Sequence, residues 1–256
     1  MKEAVAIVTG ASQGIGRATA MRLAKDFSGV VLAARNAEAL REVAAEIKES
    51  GAESLSAALD LRTKESAENL VNQTLARFGR IDALVNIAGA VPQIGLFEMT
   101  DEQWQDGMEL KFHGARRLTI SAWDALRASQ GSVVLMSGSA ALDPKPGFAA
   151  VAAINAAIIA MAKAFAEQGI KDGVQVNSLV PGPVMTHRRK TFMEKWAPAH
   201  GMTVEEATKK FPAEIGISRY GAPEEVADLI AFLVSPAAKW LTGTSVRIDG
   251  GEIKGI

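Results

Sequence analysis

The chain has 256 residues, 48% of them hydrophobic and 22% charged, which fits one globular α/β domain or two small ones. A formal charge of −1 gives no electrostatic drive toward nucleic acid or an anionic membrane, and no apolar run approaches the roughly 20 residues of a membrane span. Zero cysteines exclude disulfides, thiol nucleophiles and Cys-based metal sites, and His113, His187 and His200 do not pair at ligand spacing, so no metal is expected.

Short β-branched runs alternate with longer helical patterns. Ala4–Thr9 reads as a buried strand, too short and without the cleavage site of a signal peptide, so a cytoplasmic protein is expected. Ile15–Phe27 reads as a helix, Val30–Ala34 as a strand, and Ala37–Glu49 as an Ala/Glu/Leu-rich helix. Leu55–Leu59, Ala83–Ile87, Ser132–Met136 and Gln175–Val180 are further strands, with helices over Lys64–Phe78, Glu102–Ala128 and Gly147–Gln168. Thr100 and Gln103 have the spacing of a capping box for the middle helix. The charged segment 187–221 breaks the rhythm as a lid-like insertion, and Ser245–Ile248 is the last strand. This alternation predicts a single-domain, Rossmann-like, doubly wound parallel sheet with helices on both faces. Ligands then bind beyond the carboxyl ends of the strands.

The first strand runs into Thr9-Gly10-Ala11-Ser12-Gln13-Gly14-Ile15-Gly16, which opens a helix. Gly10 suits a tight turn, Gly14 a close approach to a pyrophosphate, and Gly16 helix–strand packing. The helix N-terminus offers free N–H groups to phosphates, so Ser12, Gln13 and Ile15 join the candidate dinucleotide site. The second strand ends in Ala34-Arg35-Asn36, without the carboxylate that would bond an NAD ribose. Arg35 either pairs with a 2′-phosphate or is a solvated start to a helix.

These motifs resemble those of the short-chain dehydrogenase/reductase family over almost the whole chain. Thr9–Gly16 matches the family's TGxxxGIG, and Asp60-Leu61 falls where the family contacts adenine. Asn86-Ile87-Ala88-Gly89 stands for its NNAG, with Ile87 replacing an Asn. Pro181-Gly182, with Val184 and Thr186, matches the segment that holds the nicotinamide carboxamide, and the tail through Asp249-Gly250-Gly251 is typical. The resemblance implies a nicotinamide cofactor. Arg35 favours NADP(H), while Gln13, where NADP-preferring relatives often carry a basic residue, leaves NAD(H) open.

Laid on this chain, the family's Ser–Tyr–Lys–Asn tetrad falls on Gly138, Val151, Asn155 and Lys111. All four positions are substituted, and the only tyrosine, Tyr220, lies outside the motif. The ammonium and the amide have traded helices, so Lys111 is expected to reach the same cavity from the opposite wall, with Asn155 on the nicotinamide ribose. Ser139 is a stand-in for the missing hydroxyl only if the strand has already ended. The leading expectation is an NAD(P)(H)-dependent oxidoreductase with a non-standard active site, acting on a small carbonyl or alcohol. The basic run His187-Arg188-Arg189-Lys190 either attracts an anionic substrate or the pyrophosphate, or is solvated. The alternatives are a cofactor-binding protein without turnover, such as a sensor or partner subunit, and a non-redox lyase or isomerase. The helices Glu102–Ala128 and Gly147–Gln168 resemble those that pair in family dimers and tetramers, implying a homo-oligomer.

Overall fold

A computed structural model describes residues 3–255; Met1, Lys2 and Ile256 of the expected domain lie outside the described residues. Seven parallel strands form one sheet in the order β3-β2-β1-β4-β5-β6-β7. They are β1 (Val5–Thr9), β2 (Gly29–Ala34), β3 (Glu53–Ala58), β4 (Ala83–Asn86), β5 (Ser132–Met136), β6 (Gln175–Pro181) and β7 (Ser245–Ile248). Side chains alternate across the central strands. Ala6 and Val8 of β1 pack with Leu23, Leu40 and Ile230, carried by α1 (Gly14–Leu23), α2 (Ala37–Glu49) and α9 (Pro223–Leu233). Val5 and Ile7 pack the other way, with Leu70, Leu118 and Ile158. Those residues belong to α3 (Ser66–Phe78), α5 (Gly114–Ser129) and α6 (Ala149–Asp172). The expected two-faced, single-domain α/β sheet is what the chain forms.

The strand order reverses between β1 and β4, and their carboxyl ends flank the resulting crevice. Thr9 joins them, its Oγ1 accepting from the N–H groups of Ile87 at 2.9 Å and Ala88 at 3.0 Å. That side-chain bond takes the place of the ladder, so β4 stops at Asn86 rather than at the expected Ile87.

Three helical expectations need correction. Ile15–Phe27 ends at Leu23, because Lys25 and Asp26 donate back only three residues, to Arg22 and Leu23. Glu102–Ala128 is continuous but not uniform. Helix α4 (Asp101–Gly107) enters through the Thr100/Gln103 capping box, then the turn Met108–His113 is wound as π-helix before α5. Such wide turns are frequent at functional sites. Gly147–Gln168 extends to Asp172, where Gly173 closes it at φ +74°. By length and composition the segment 146–172 would also pass for a membrane span, which the sequence reading excluded. Here Ala150, Ile154, Ile158, Ala162 and Ala166 bury one face of α6 inside the protein.

Between β6 and α9 the chain makes an excursion through α7 (His187–Ala199) and α8 (Val204–Glu214). These helices share their own apolar cluster of Met193, Ala197, Ala207, Phe192, Trp196 and Phe211. The excursion leaves and returns side by side. Gly221 N donates to Pro183 O at 3.0 Å and Met185 N to Gly221 O at 2.9 Å.

Candidate active site

At the β1–α1 turn, Gly10 and Gly14 sit at φ +68° and +54°, a region open to glycine and costly for other residues. A Cβ on Gly16 would lie 2.0 Å from the Gly10 carbonyl oxygen, so α1 starts in contact with the turn that feeds it. Gln13 caps α1 without a side-chain bond, which leaves first-turn N–H groups of Gly14, Ile15 and Gly16 free for a ligand; Ser12 precedes them. Across the crevice, Gly182 N donates to Ile248 O at 3.0 Å, fixing the end of β6 beyond Pro181. Val184 is buried and bridges to Gly221. Thr186 caps α7 by accepting from Arg189 N at 3.3 Å, and its Cγ2 stands 3.4 Å from where a Gly14 Cβ would be. The α7 entry therefore closes over the glycine turn.

At the other end of the crevice, Arg35 is exposed beyond β2, next to Asn36, whose side chain caps α2. Asp60 accepts from Arg62 N at 3.0 Å, and Arg62 reaches on to Asp106. The Arg62 guanidinium, with a smaller contribution from Arg35, holds the Asp106 carboxyl below its ordinary value. Leu61 is buried, 3.1 Å from where a Gly114 Cβ would be. Asn86 is buried too. Its Nδ2 donates to Thr119 Oγ1 at 3.2 Å, and its Oδ1 has no partner.

Lys111 and Asn155 meet between the π-turn and α6. Lys111 Nζ lies 2.5 Å from Asn155 Oδ1 and 3.3 Å from the Ser137 carbonyl oxygen. Burial, and secondarily the Arg188 charge, pull the Lys111 pKa down to about 7. Asn155 is 2% exposed, and its amide fills the space a side chain at 138 would use: a Cβ on Gly138 would stand 2.8 Å from Asn155 Nδ2. Ser137 is committed elsewhere, its hydroxyl donating to Asn155 O at 2.9 Å. Val151 packs into an apolar cluster with Val91, Ile154 and Trp104, so this wall offers no proton.

The strand ends at Met136, freeing Ser139 from the strand alternation that would turn it away. Ser139 lies near Glu252, a residue just past the tail motif that ends at Gly251. Burial pushes the Glu252 carboxyl up, and its Oε2 has no partner. Tyr220 belongs to the excursion, its hydroxyl donating to Met193 Sδ at 3.6 Å and its ring stacked 6.2 Å from Phe211. Arg188, grouped in the sequence with three other basic or titratable residues, separates from them. Its Nη2 donates to Val91 O at 2.7 Å and its Nη1 to Gly89 O at 3.4 Å.

A family model described as enoyl-(acyl carrier protein) reductase matches residues 10–252. The chain belongs to the short-chain dehydrogenase/reductase family. It is 34% identical over 252 residues to a 3-oxoacyl-[acyl-carrier-protein] reductase of Synechocystis, covering 97% of this chain and 96% of that protein. L-sorbose reductase from Gluconobacter frateurii, solved with NADPH and L-sorbose, superposes on this short-chain oxidoreductase with a TM-score of 0.93 at 31% identity, covering 100% of both chains. An actinorhodin polyketide ketoreductase variant solved with NADPH gives 0.93 at 31% identity, over 98% of this chain and 97% of that one.

Proposed function

We propose that the protein is an NADP(H)-dependent reductase of a small carbonyl compound in which the Lys111 ammonium replaces a tyrosine phenol as proton donor. The carrying observation is the 2.5 Å contact between Lys111 Nζ and Asn155 Oδ1, where the family's own ammonium and amide are exchanged. The reading of Lys111, Gly138, Val151 and Asn155 as the four tetrad positions rests on the motif alignment.

The residues fit a dinucleotide. Gly10 and Gly14 turn the backbone tightly ahead of the α1 N-terminus, Gly16 packs α1 on that turn, and Thr186 borders it. Asp60, Leu61, Asn86, Ala88 and Gly89 would line the crevice between the two halves, Pro181, Gly182 and Val184 its far wall, and Arg35 would meet a 2′-phosphate. NADPH carried by the relatives above supports that choice over NADH. When bound, the cofactor supplies the two electrons of the reduction.

The protein's own groups supply the proton and the geometry. Asn155 Oδ1 and the Ser137 carbonyl orient the Lys111 ammonium. The ammonium hydrogen-bonds the substrate carbonyl oxygen and passes it a proton from Nζ as negative charge develops there. Nζ is then recharged from solvent. Val151, Val91 and Trp104 exclude water from one side of the site. The excursion 187–221 would act as its lid, and α5 and α6, where Ile120 and Ile170 are exposed, would pair in a homo-oligomer.

NADPH consumption by wild type and Lys111→Gln over a panel of small ketones tests the reading. Turnover by wild type with a loss of about 10²- to 10⁴-fold in the variant supports it. Tight NADPH binding with no turnover on any ketone overturns it in favour of a cofactor-binding protein.

A further inference from the structure

Two cations converge on one short loop. The methylenes of Lys111 lie across Gly89, where a Cβ would meet Cδ at 2.9 Å. From the first turn of α7, Arg188 binds the carbonyls of Gly89 and Val91 in the same loop. The two charges are close enough that Arg188 depresses Lys111. The N-terminal end of the 13-residue helix α7 adds its partial positive charge.

Nothing of opposite sign answers them. Among the described residues, no carboxylate pairs with Lys111 or with Arg188. Their partners are all neutral: an amide oxygen and three backbone carbonyls. Neutral acceptors satisfy donors but leave net charge in place, and Arg188, exposed beside the half-buried Lys111, stands where a ligand can reach it. Arg188 also keeps donors in hand, since a guanidinium has five and two bonds are made among the described residues. The arrangement suits an anion, which would meet two donors of like charge beside one loop.

The diphosphate of a dinucleotide is one source of negative charge. The glycine turn and helix N-terminus that suit it lie at Gly14 and Thr186, whereas Arg188 turns toward Gly89 and Val91, beside the ammonium that would meet the carbonyl oxygen. We propose that the substrate is an oxo acid, its carbonyl oxygen at Lys111 and its carboxylate held by Arg188. This rests on the reductase reading above and adds the substrate class to it. Arg suits the task, because its planar fork matches a carboxylate with two parallel bonds.

The test uses binding, so that it stands apart from turnover. The full chain saturated with NADP⁺ is titrated calorimetrically with pyruvate, acetoacetate and levulinate, which place the carboxylate progressively farther from the ketone, and with their methyl esters. At least one acid is expected to bind about tenfold or more tightly than its ester, the equivalent of about 1.4 kcal/mol. Arg188→Gln should erase that preference, and Arg188→Lys should restore part of it. Equal binding of every acid and ester, or a preference that survives Arg188→Gln, overturns the proposal. So does a variant whose only loss is NADPH affinity, which would assign the anion to the cofactor diphosphate. If acids are preferred but no ketone is reduced, the anion site stands and the reductase reading falls.

Discussion

Lys111 Nζ and Asn155 Oδ1 lie 2.5 Å apart across the gap between a π-turn and α6, and Asn155 in turn occupies the room left by Gly138. One side chain is the donor, the next its anchor, and the third position is empty so that the anchor fits. The consequences are measurable at each member of this chain of contacts.

The first consequence is a pH profile. A proton donor works in its charged form, and burial sets the Lys111 pKa at about 7. In the direction of carbonyl reduction, kcat/KM is expected to fall about tenfold per pH unit above 7 and to level off below it. The reverse oxidation should gain over the same range. Lys111→Gln should flatten both limbs, as steady-state rates from pH 5.5 to 9 would show.

The same shift acts on stability. The folded state releases the Lys111 proton near pH 7, while the unfolded chain holds it to the ordinary value of 10.5. Between those values the unfolded state binds more protons, so this group's contribution becomes more favourable as pH rises. Below pH 7 the desolvation cost is present in full. The Tm of wild type should therefore climb relative to Lys111→Gln between pH 7 and 10, by scanning calorimetry of both proteins without cofactor. Parallel curves would mean that Lys111 titrates in its ordinary range.

Gly138 and Asn155 are expected to be coupled. In Gly138→Ser the new Cβ would press on Asn155 Nδ2 at 2.8 Å and move the amide off Lys111. Overpacking of this kind costs about 1–3 kcal/mol. Adding Asn155→Ala should relieve the clash. A double-mutant cycle by urea denaturation should give a coupling of at least about 0.5 kcal/mol, and additive effects would refute the interlock.

Arg35 should discriminate between cofactors. Losing a charge-assisted pair to a 2′-phosphate costs about 1.5–3 kcal/mol, so Arg35→Ala should weaken NADPH binding by ten- to a hundredfold or more. NADH binding should barely change. Fluorescence titration of both cofactors gives the ratio, and an unchanged ratio would place Arg35 in solvent.

The glycine turn tolerates least. In Gly16→Ala the added Cβ would meet backbone, Gly10 O at 2.0 Å and Gly10 C at 2.5 Å, with no flexible side chain to yield. Both Tm and NADPH affinity are expected to drop, whereas alanine at Gly147, with nothing within 4 Å of its Cβ, should leave them intact.

Where local chemistry decides an element, the sequence displays it. Ala37–Glu49 matched to the residue because Asn36 is a strong cap, and Ser132–Met136 because a continuous apolar run is buried on both faces. The family's motifs brought Lys111 and Asn155 to one cavity from opposite walls, but their direct bond is visible only in the fold. The π-turn at Met108–His113 was not, since one wide turn barely disturbs helical periodicity. Nor could Arg188 be told from Arg189 within one basic run. Arg188 turns to the β4 loop, while Arg189 stacks 5.1 Å from the Phe192 ring centroid, a choice made by packing. Glu252 escaped notice because only the fold brings the tail to Ser139.

The excursion through α7 and α8 is stapled where it leaves and returns, at Pro183, Met185 and Gly221, and carries its own small core. Those two properties make it a cassette. A segment from a relative spliced in between the staples would keep the sheet beneath it undisturbed, and would import that relative's choice of ligand while Lys111, on a different helix, stayed behind. On the proposed reading, the proton donor Lys111 and the substrate-holding Arg188 would be separable by a single exchange of sequence.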